Sequence, residues 1–323
     1  MEVELTIMAV WDRQQRRLAL ALQGGGSFGA FEWGVLDRLL EDGAKLDAIS
    51  GASAGAVNAV LVASGLQRGG PEGAREALTG FWKDVAKAPG LQPLVLNALA
   101  ASAPFISPYN YPLNINPMGH LLQKHVDFDK LRQHPPMRLF IAATRVRDGA
   151  SVIFRENEIS LDVVLASACL PLLHRAVEIG GEAYWDGAFT ANPPLRRLAT
   201  ETSAEDILLV QIMREEIETV PHSSTEISPR AQMVTLNASL HHELQALDDL
   251  RASSNRTKAL LSPTCRQLCR LHLLRIVATD WVEDLSSHSM MDTSAALLRK
   301  LHGAGRNAAA PAPLARQQMQ QAA

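Results

Sequence analysis

The sequence predicts an α/β protein, and two features of its opening stretch carry that prediction. Leu18 to Leu22 and Leu46 to Ser50 are short, continuous apolar runs, the pattern of strands buried on both faces. Each ends in a glycine turn, Gly24-Gly25-Gly26-Ser27-Phe28-Gly29 and Gly51-Ala52-Ser53-Ala54-Gly55, and each turn leads into a helical pattern. After the first turn, Phe31, Val35, Leu36, Leu39 and Leu40 recur at helical spacing, with Gly43 placed to cap the end. After the second, Ala54 to Ala63 is rich in Ala and Val and reads as a buried helix.

Further along, Pro71 to Lys87 predicts another helix, with Ala77, Leu78, Phe81, Trp82 and Val85 on one side. Between Pro89 and Pro117 the texture changes. Pro93, Pro104, Pro108, Pro112 and Pro117 interrupt apolar residues such as Leu91, Leu94, Phe105, Ile106, Tyr109 and Tyr111, which excludes a regular strand or one long helix. The stretch reads either as a lid or binding wall or as an ordinary surface insertion. Met118 to Leu131 predicts a helix, Arg138 to Val146 a strand with Ser151 to Arg155 as hairpin partner, and Leu161 to Ala168 a helix stopping before Pro171. Arg175 to Tyr184 alternates and turns at Gly180-Gly181; Asp206 to Met213 and Leu271 to Ala278 read as strands, and Pro229 to Leu250 as a helix. The expected organisation is an N-terminal extension (1–17), a catalytic core (18–213), a segment completing the same domain (214–302) and a disordered Ala/Gln/Pro-rich tail (303–323).

Composition narrows the function. With 323 residues, 47% apolar and 20% charged, the chain can bury a substantial core. A net charge of −3 and the lack of any long Lys/Arg block give no footprint for nucleic acid and no polybasic membrane anchor. Cys169, Cys265 and Cys269 are an odd number; Cys265 and Cys269 would share a helix face but supply only half a metal site, so no metal is expected. The N-terminus begins with Glu2 and Glu4 rather than a basic region, and no apolar run is long enough to span a bilayer; the expected compartment is the cytoplasm.

The chemistry lies in the two turns. A Gly-x-Ser-x-Gly bend between strand and helix exposes a serine oxygen, which makes Ser53 the candidate nucleophile. The first loop can aim backbone N–H groups at an anion, so Gly24, Gly25 and Gly26, with Ala54 after the serine, are candidates for an oxyanion hole. Gly24-x-Gly26-x-x-Gly29 also matches a dinucleotide fingerprint, but the acidic residue such a domain needs at the end of its second strand is replaced by Gly51-Ala52-Ser53, and Asp47 lies at the wrong edge of the sheet. The serine requires a base. One solution is a triad with a late histidine, His222, His241, His242, His272, His288 or His302, none of which sits in a distinctive turn. The other is Asp186, at the start of the Asp186-Gly187-Ala188 turn, taking the proton directly.

In its ordered blocks the sequence resembles the patatin-like phospholipases. The blocks are Gly24 to Gly29, Gly51 to Gly55 and Asp186-Gly187-Ala188, supported by Ser167-Ala168-Cys169-Leu170-Pro171 and by Asn192-Pro193. The resemblance spans about Leu18 to Met213. It implies a three-layer α/β/α sandwich on a mostly parallel sheet, a Ser53–Asp186 dyad, motif-supporting roles for Gly29, Gly51, Gly55, Gly187 and Ala188, and hydrolysis of a lipid or other acyl ester without cofactor. Transient contact with a membrane surface goes with such a substrate. Phe28 stands where many members carry Lys or Arg, and Gln23 where plant members carry Asp, which bears on the choice of head group. The alternatives are a short-chain ester, thioester or polyester hydrolase on the same dyad, and a catalytically silent scaffold of the same fold. Beyond Met213, the Pro229 to Leu250 helix is expected as the remaining layer of the sandwich in preference to a cap.

Overall fold

The computed structural model describes residues 17–95, 98, 106–110, 116–217, 219–254, 268, 270–282, 285 and 289–310. The N-terminal extension up to residue 16, Phe105, Tyr111, Cys265, Cys269, His288 and the tail from residue 311 lie outside the described residues.

The centre is strand β1 (Arg17–Leu22), which pairs in parallel with β2 (Lys45–Gly51) on one side and β7 (Asp206–Gln211) on the other. β8 (His272–Val277) extends the sheet beyond β7, again in parallel. On the other flank β2 pairs in parallel with β3 (Arg138–Arg145), and β3 pairs antiparallel with both β4 (Ser151–Arg155) and β6 (Glu182–Asp186). β5 (Val177–Ile179) closes that edge against β6 through the turn at Gly180 and Gly181.

The four apolar residues that end β1 divide between the two faces of the sheet, as the pleat requires. Leu20 and Leu22 join a core with α1 (Gly29–Glu41), α2 (Ala54–Val85), α5 (Leu161–Ser167) and α8 (Ala295–Ala308), whereas Ala19 and Ala21 face α6 (Leu195–Glu201) and α7 (Ser224–Ser254). Three layers result, as the resemblance implied, and the Pro229 to Leu250 helix lies within α7, in the second helical layer. No helix among the described residues is long and apolar enough to cross a membrane.

Several elements depart from the sequence reading. The expected helix from Met118 to Leu131 is two, α3 (Pro117–His125) and α4 (Phe128–Gln133), because Val126 is extended and the Asp127 side chain caps a new start by accepting from the Lys130 N–H. The helices expected from Ala54 and from Pro71 run on as α2, with helical geometry lost only at Gly69 and Gly70, where Pro71 can restart it. α6 and α8 were not anticipated. The tail expected from Gly303 is helical through Ala308. Gly305 explains this: a Cβ there would lie 2.0 Å from the Phe31 carbonyl oxygen, so α8 lies backbone to backbone on α1, and Arg306 and His302 pair with Asp37.

Candidate active site

Between the end of β2 and the start of α2 the chain turns within two residues, and Ser53 sits at the bend with φ 51° and ψ −120°. It is the only non-glycine residue at positive φ among those described. Such a conformation costs on the order of 1–3 kcal/mol and persists only where its surroundings enforce it. Here the Ser53 N–H donates to both the carbonyl and the hydroxyl oxygen of Ser167, at 3.1 Å each, and the Gly55 N–H closes the turn on the Ala52 carbonyl at 2.9 Å. A Cβ on Gly55 would lie 2.2 Å from the Leu22 carbonyl oxygen, and one on Gly51 would lie 2.5 Å from the backbone of Gly55. The bend therefore needs glycine at both motif positions.

Strand register brings Asp186 to this bend. β3 carries β4 along one side; on the other, β2 pairs as far as Gly51 with Ile141, and β6 takes over from Ala143 with Asp186. The aspartate thus stands just past the end of the strand that delivers the serine. Ser53 Oγ donates to Asp186 Oδ2 at 2.8 Å, and the Ala188 N–H donates to Oδ1 at 2.8 Å. The Asp186 backbone is held at both ends, its N–H by the Cys169 carbonyl and its carbonyl by the Thr144 hydroxyl. Gly187 lies against β3, where a Cβ would come within 2.1 Å of the Ala142 carbonyl oxygen. Asp186 is 1% exposed. Burial pushes its pKa up to about 7, against the downward pull of the Ala188 N–H and the Ser53 hydroxyl. An unperturbed aspartate has a pKa of about 4.

The glycine loop faces the same space, though not with every residue proposed. Gly25, Gly26 and Ala54 line a cavity with Ser53 and Asp186, and their N–H groups make no hydrogen bond to another described residue. Gly24 is a correction: its N–H donates to Asn192 Oδ1 at 2.6 Å and is not available to a substrate oxygen. Its contribution is space, since a Cβ there would lie 2.7 Å from that of Ser53. Gly29 serves α2 similarly, its Cβ position lying 2.7 Å from that of Ala54. Beneath the loop, Asn58 Nδ2 donates to the Gly29 carbonyl and to Glu32 Oε2, while Trp82 Nε1 donates to Asn58 Oδ1. Burial holds Glu32 well above the usual carboxylate range, against the downward pull of the Asn58 amide. Phe28 is packed in the core and does not reach the cavity, and so bears on no head group. Gln23 is fully buried, receiving the N–H groups of Ile212 and Met213 on Oε1 and donating to Asn237 on α7.

The cavity has a volume of about 450 Å³. Phe81, Trp82, Val85, Leu91 and Met118 form one part of its wall, and Met233, Leu236, Met290 and Met291 another. The second group comes from α7 and from residues 289–293, which carried no recognisable motif. The segment 289–293 also clamps the glycine loop: the Ser27 N–H donates to the Met290 carbonyl at 2.8 Å, and a Cβ on Gly26, which has φ +59°, would collide with that oxygen. Of the late histidines, His241, His272 and His302 are engaged with Glu215, Asp206 and Asp37, and none of the described ones lines the cavity. The histidine that does line it is His174, which precedes Asp186 and was overlooked because it belongs to no motif.

Comparison with known proteins places the chain in a family. The family model for patatin-like phospholipase matches residues 20–199, more than half of the chain. Among relatives, uncharacterized NTE family proteins of Mycobacterium bovis and Mycobacterium tuberculosis are 26% identical over 208 residues, covering 62% of this chain and 31% of theirs. The chain therefore matches less than a third of the length of those relatives. VipD from Legionella pneumophila matches as a crystal structure with a TM-score of 0.40 and 14% identity, over 94% of this chain and 66% of that one. On the extent of the family match, the chain belongs to the patatin-like phospholipase family.

Proposed function

We propose that the protein is a serine acyl hydrolase acting on lipid esters through a Ser53–Asp186 dyad. The observation that carries this reading is the 2.8 Å hydrogen bond from Ser53 Oγ to a buried carboxylate beside unspent backbone N–H groups. Ser53 Oγ attacks the ester carbonyl carbon as its proton passes to Asp186 Oδ2. The resulting oxyanion is received by the N–H groups of Gly25, Gly26 and Ala54; each such donor is worth about 3 kcal/mol in the transition state. Collapse returns the proton from Asp186 to the departing alcohol and leaves an acyl-serine. A water then attacks that ester, gives its proton to Asp186, and releases the acid. A base with a pKa near about 7 suits this work at neutral pH, being ionised enough to accept a proton and acidic enough to return it.

An apolar cavity of this size supports a long acyl chain over a short one. Contact with a lipid surface fits the same reading, since Leu172 and Leu94, 63% and 82% exposed, stand close in sequence to the cavity residues Leu173 and Leu91. The test is hydrolysis of nitrophenyl esters of increasing chain length by the wild-type protein and by Ser53→Ala. The reading predicts turnover that improves with chain length and falls to background in the variant; activity retained by Ser53→Ala would remove it.

A further inference from the structure

Apart from Asp186 itself, the only titratable side chain lining the cavity among the described residues is His174; neither lysine nor arginine lines it. A phosphate drawn inside would meet no lysine or arginine among the described residues and would stand near a carboxylate. Of the other polar side chains on the wall, Ser27 Oγ is engaged with the Ser289 carbonyl, Ser289 Oγ with the Met291 N–H, and Thr293 Oγ1 with the Leu91 carbonyl, while Gln232 lies exposed on α7. The imidazole of His174 makes no hydrogen bond to another described residue.

The main chain around His174 is firmly held. Its N–H donates to the Leu170 carbonyl at 2.9 Å. On the next residue, the carbonyl accepts from Cys169 Sγ, and the guanidinium donates to the carbonyls of Pro108 and Tyr109. The Ala176 N–H then donates to the Tyr109 hydroxyl. An imidazole presented into an apolar cavity from such a turn, with both nitrogens unspent, calls for a ligand that can use them. Burial lowers its pKa from the ordinary histidine value, so at neutral pH it carries one donor and one acceptor and no charge. That pair complements a hydroxyl group and is a poor match for a phosphate.

We propose that His174 is the residue that reads the alcohol portion of the substrate, and that the cavity selects uncharged, hydroxyl-bearing esters such as monoacylglycerols over their phosphorylated counterparts. This rests on the hydrolase reading. With the acyl carbonyl oxygen in the glycine loop and the chain against the apolar wall, the alcohol portion holds the polar atoms left for the imidazole.

The experiment compares kcat/KM for three substrates with one acyl chain, a 1-monoacylglycerol, the methyl ester and the 1-acylglycerol phosphate, in the same neutral detergent. Wild-type protein is expected to prefer the monoacylglycerol over the phosphate by about tenfold or more. In His174→Phe the monoacylglycerol to methyl ester ratio should fall about 5- to 10-fold, the loss of one hydrogen bond, mainly through KM, and His174→Gln should recover part of it. Fluorophosphonate labelling of each variant reports whether the dyad is still assembled, and His174→Gln keeps the test alive if His174→Phe fails to fold. An unchanged ratio in labelled His174→Phe, or equal turnover of the phosphate, overturns the proposal and leaves the hydrolase reading standing. Wild-type protein that turns over none of the three and takes no label overturns both.

Discussion

The motif-bearing loops of the N-terminal core and the segments that follow β7 meet at one cavity and contribute differently to it. From the core come the groups placed for chemistry: Ser53 on its bend, Asp186 at the end of β6, and the N–H groups of Gly25, Gly26 and Ala54. From α7 and residues 289–293 come walls and clamps: Met233, Leu236, Met290 and Met291 on the surface, and the Met290 carbonyl holding the Ser27 N–H. Reacting groups tolerate little change in residue type or spacing. A wall needs only apolar volume, and a clamp built from a backbone carbonyl needs no particular side chain.

That division can be broken by mutation. Ser53→Ala should abolish esterase activity, a loss on the order of 10⁴-fold or more, with binding of a long-chain ester retained. Asp186→Asn should lower kcat by about 10²- to 10⁴-fold, because the general base is gone while its shape remains. Both losses should appear in kcat. Asn192→Ala leaves the buried Gly24 N–H without its acceptor, which should cost about 1–3 kcal/mol in stability, read as a lower Tm, together with a smaller drop in kcat as the loop loosens. The smallest effects belong to the walls: Met233→Ala and Met290→Ala should change KM and acyl-length preference by a few-fold, with kcat on short nitrophenyl esters little altered. A loss of kcat in Met233→Ala comparable to that in Asp186→Asn would erase the distinction.

The pH profile sharpens the same contrast. The proposed base acts in its ionised form, and burial raises the pKa of Asp186 to about 7, so kcat/KM should climb as pH rises through that value and fall away below it. A profile flat between pH 5 and 8 would mean that the base titrates elsewhere. Wall variants should leave the midpoint in place.

The two regions were also unequally legible in the sequence. Ser53, Asp186 and the glycine loop could be found because strained bends and close backbone contacts admit few residues, as at Gly55 against Leu22 and Gly187 against Ala142. Even the supporting blocks have physical work: Ser167 holds the Ser53 N–H, Cys169 holds that of Asp186, and Asn192 holds Gly24. The same tightness misled in one place, since Gly24 resembles its neighbours while its N–H is already taken. α8 carries a legible helical pattern, Leu297, Leu298 and Leu301 behind the Ser294 cap; what no local pattern reports is its backbone contact with α1, where Gly34 lies against His302 and Gly305 against Phe31. His174 and Met290 escaped for a related reason: their importance comes from where the chain returns in space, and a lone histidine or methionine announces nothing.

The central claim is that Ser53 is the nucleophile and Asp186 its activator, and the most direct measurement is fluorophosphonate labelling with the adduct located by peptide mass spectrometry. The account predicts a single adduct on Ser53, formed far more slowly in Asp186→Asn and not at all in Ser53→Ala. An adduct on any other residue, or labelling of undiminished rate in Asp186→Asn, would contradict it.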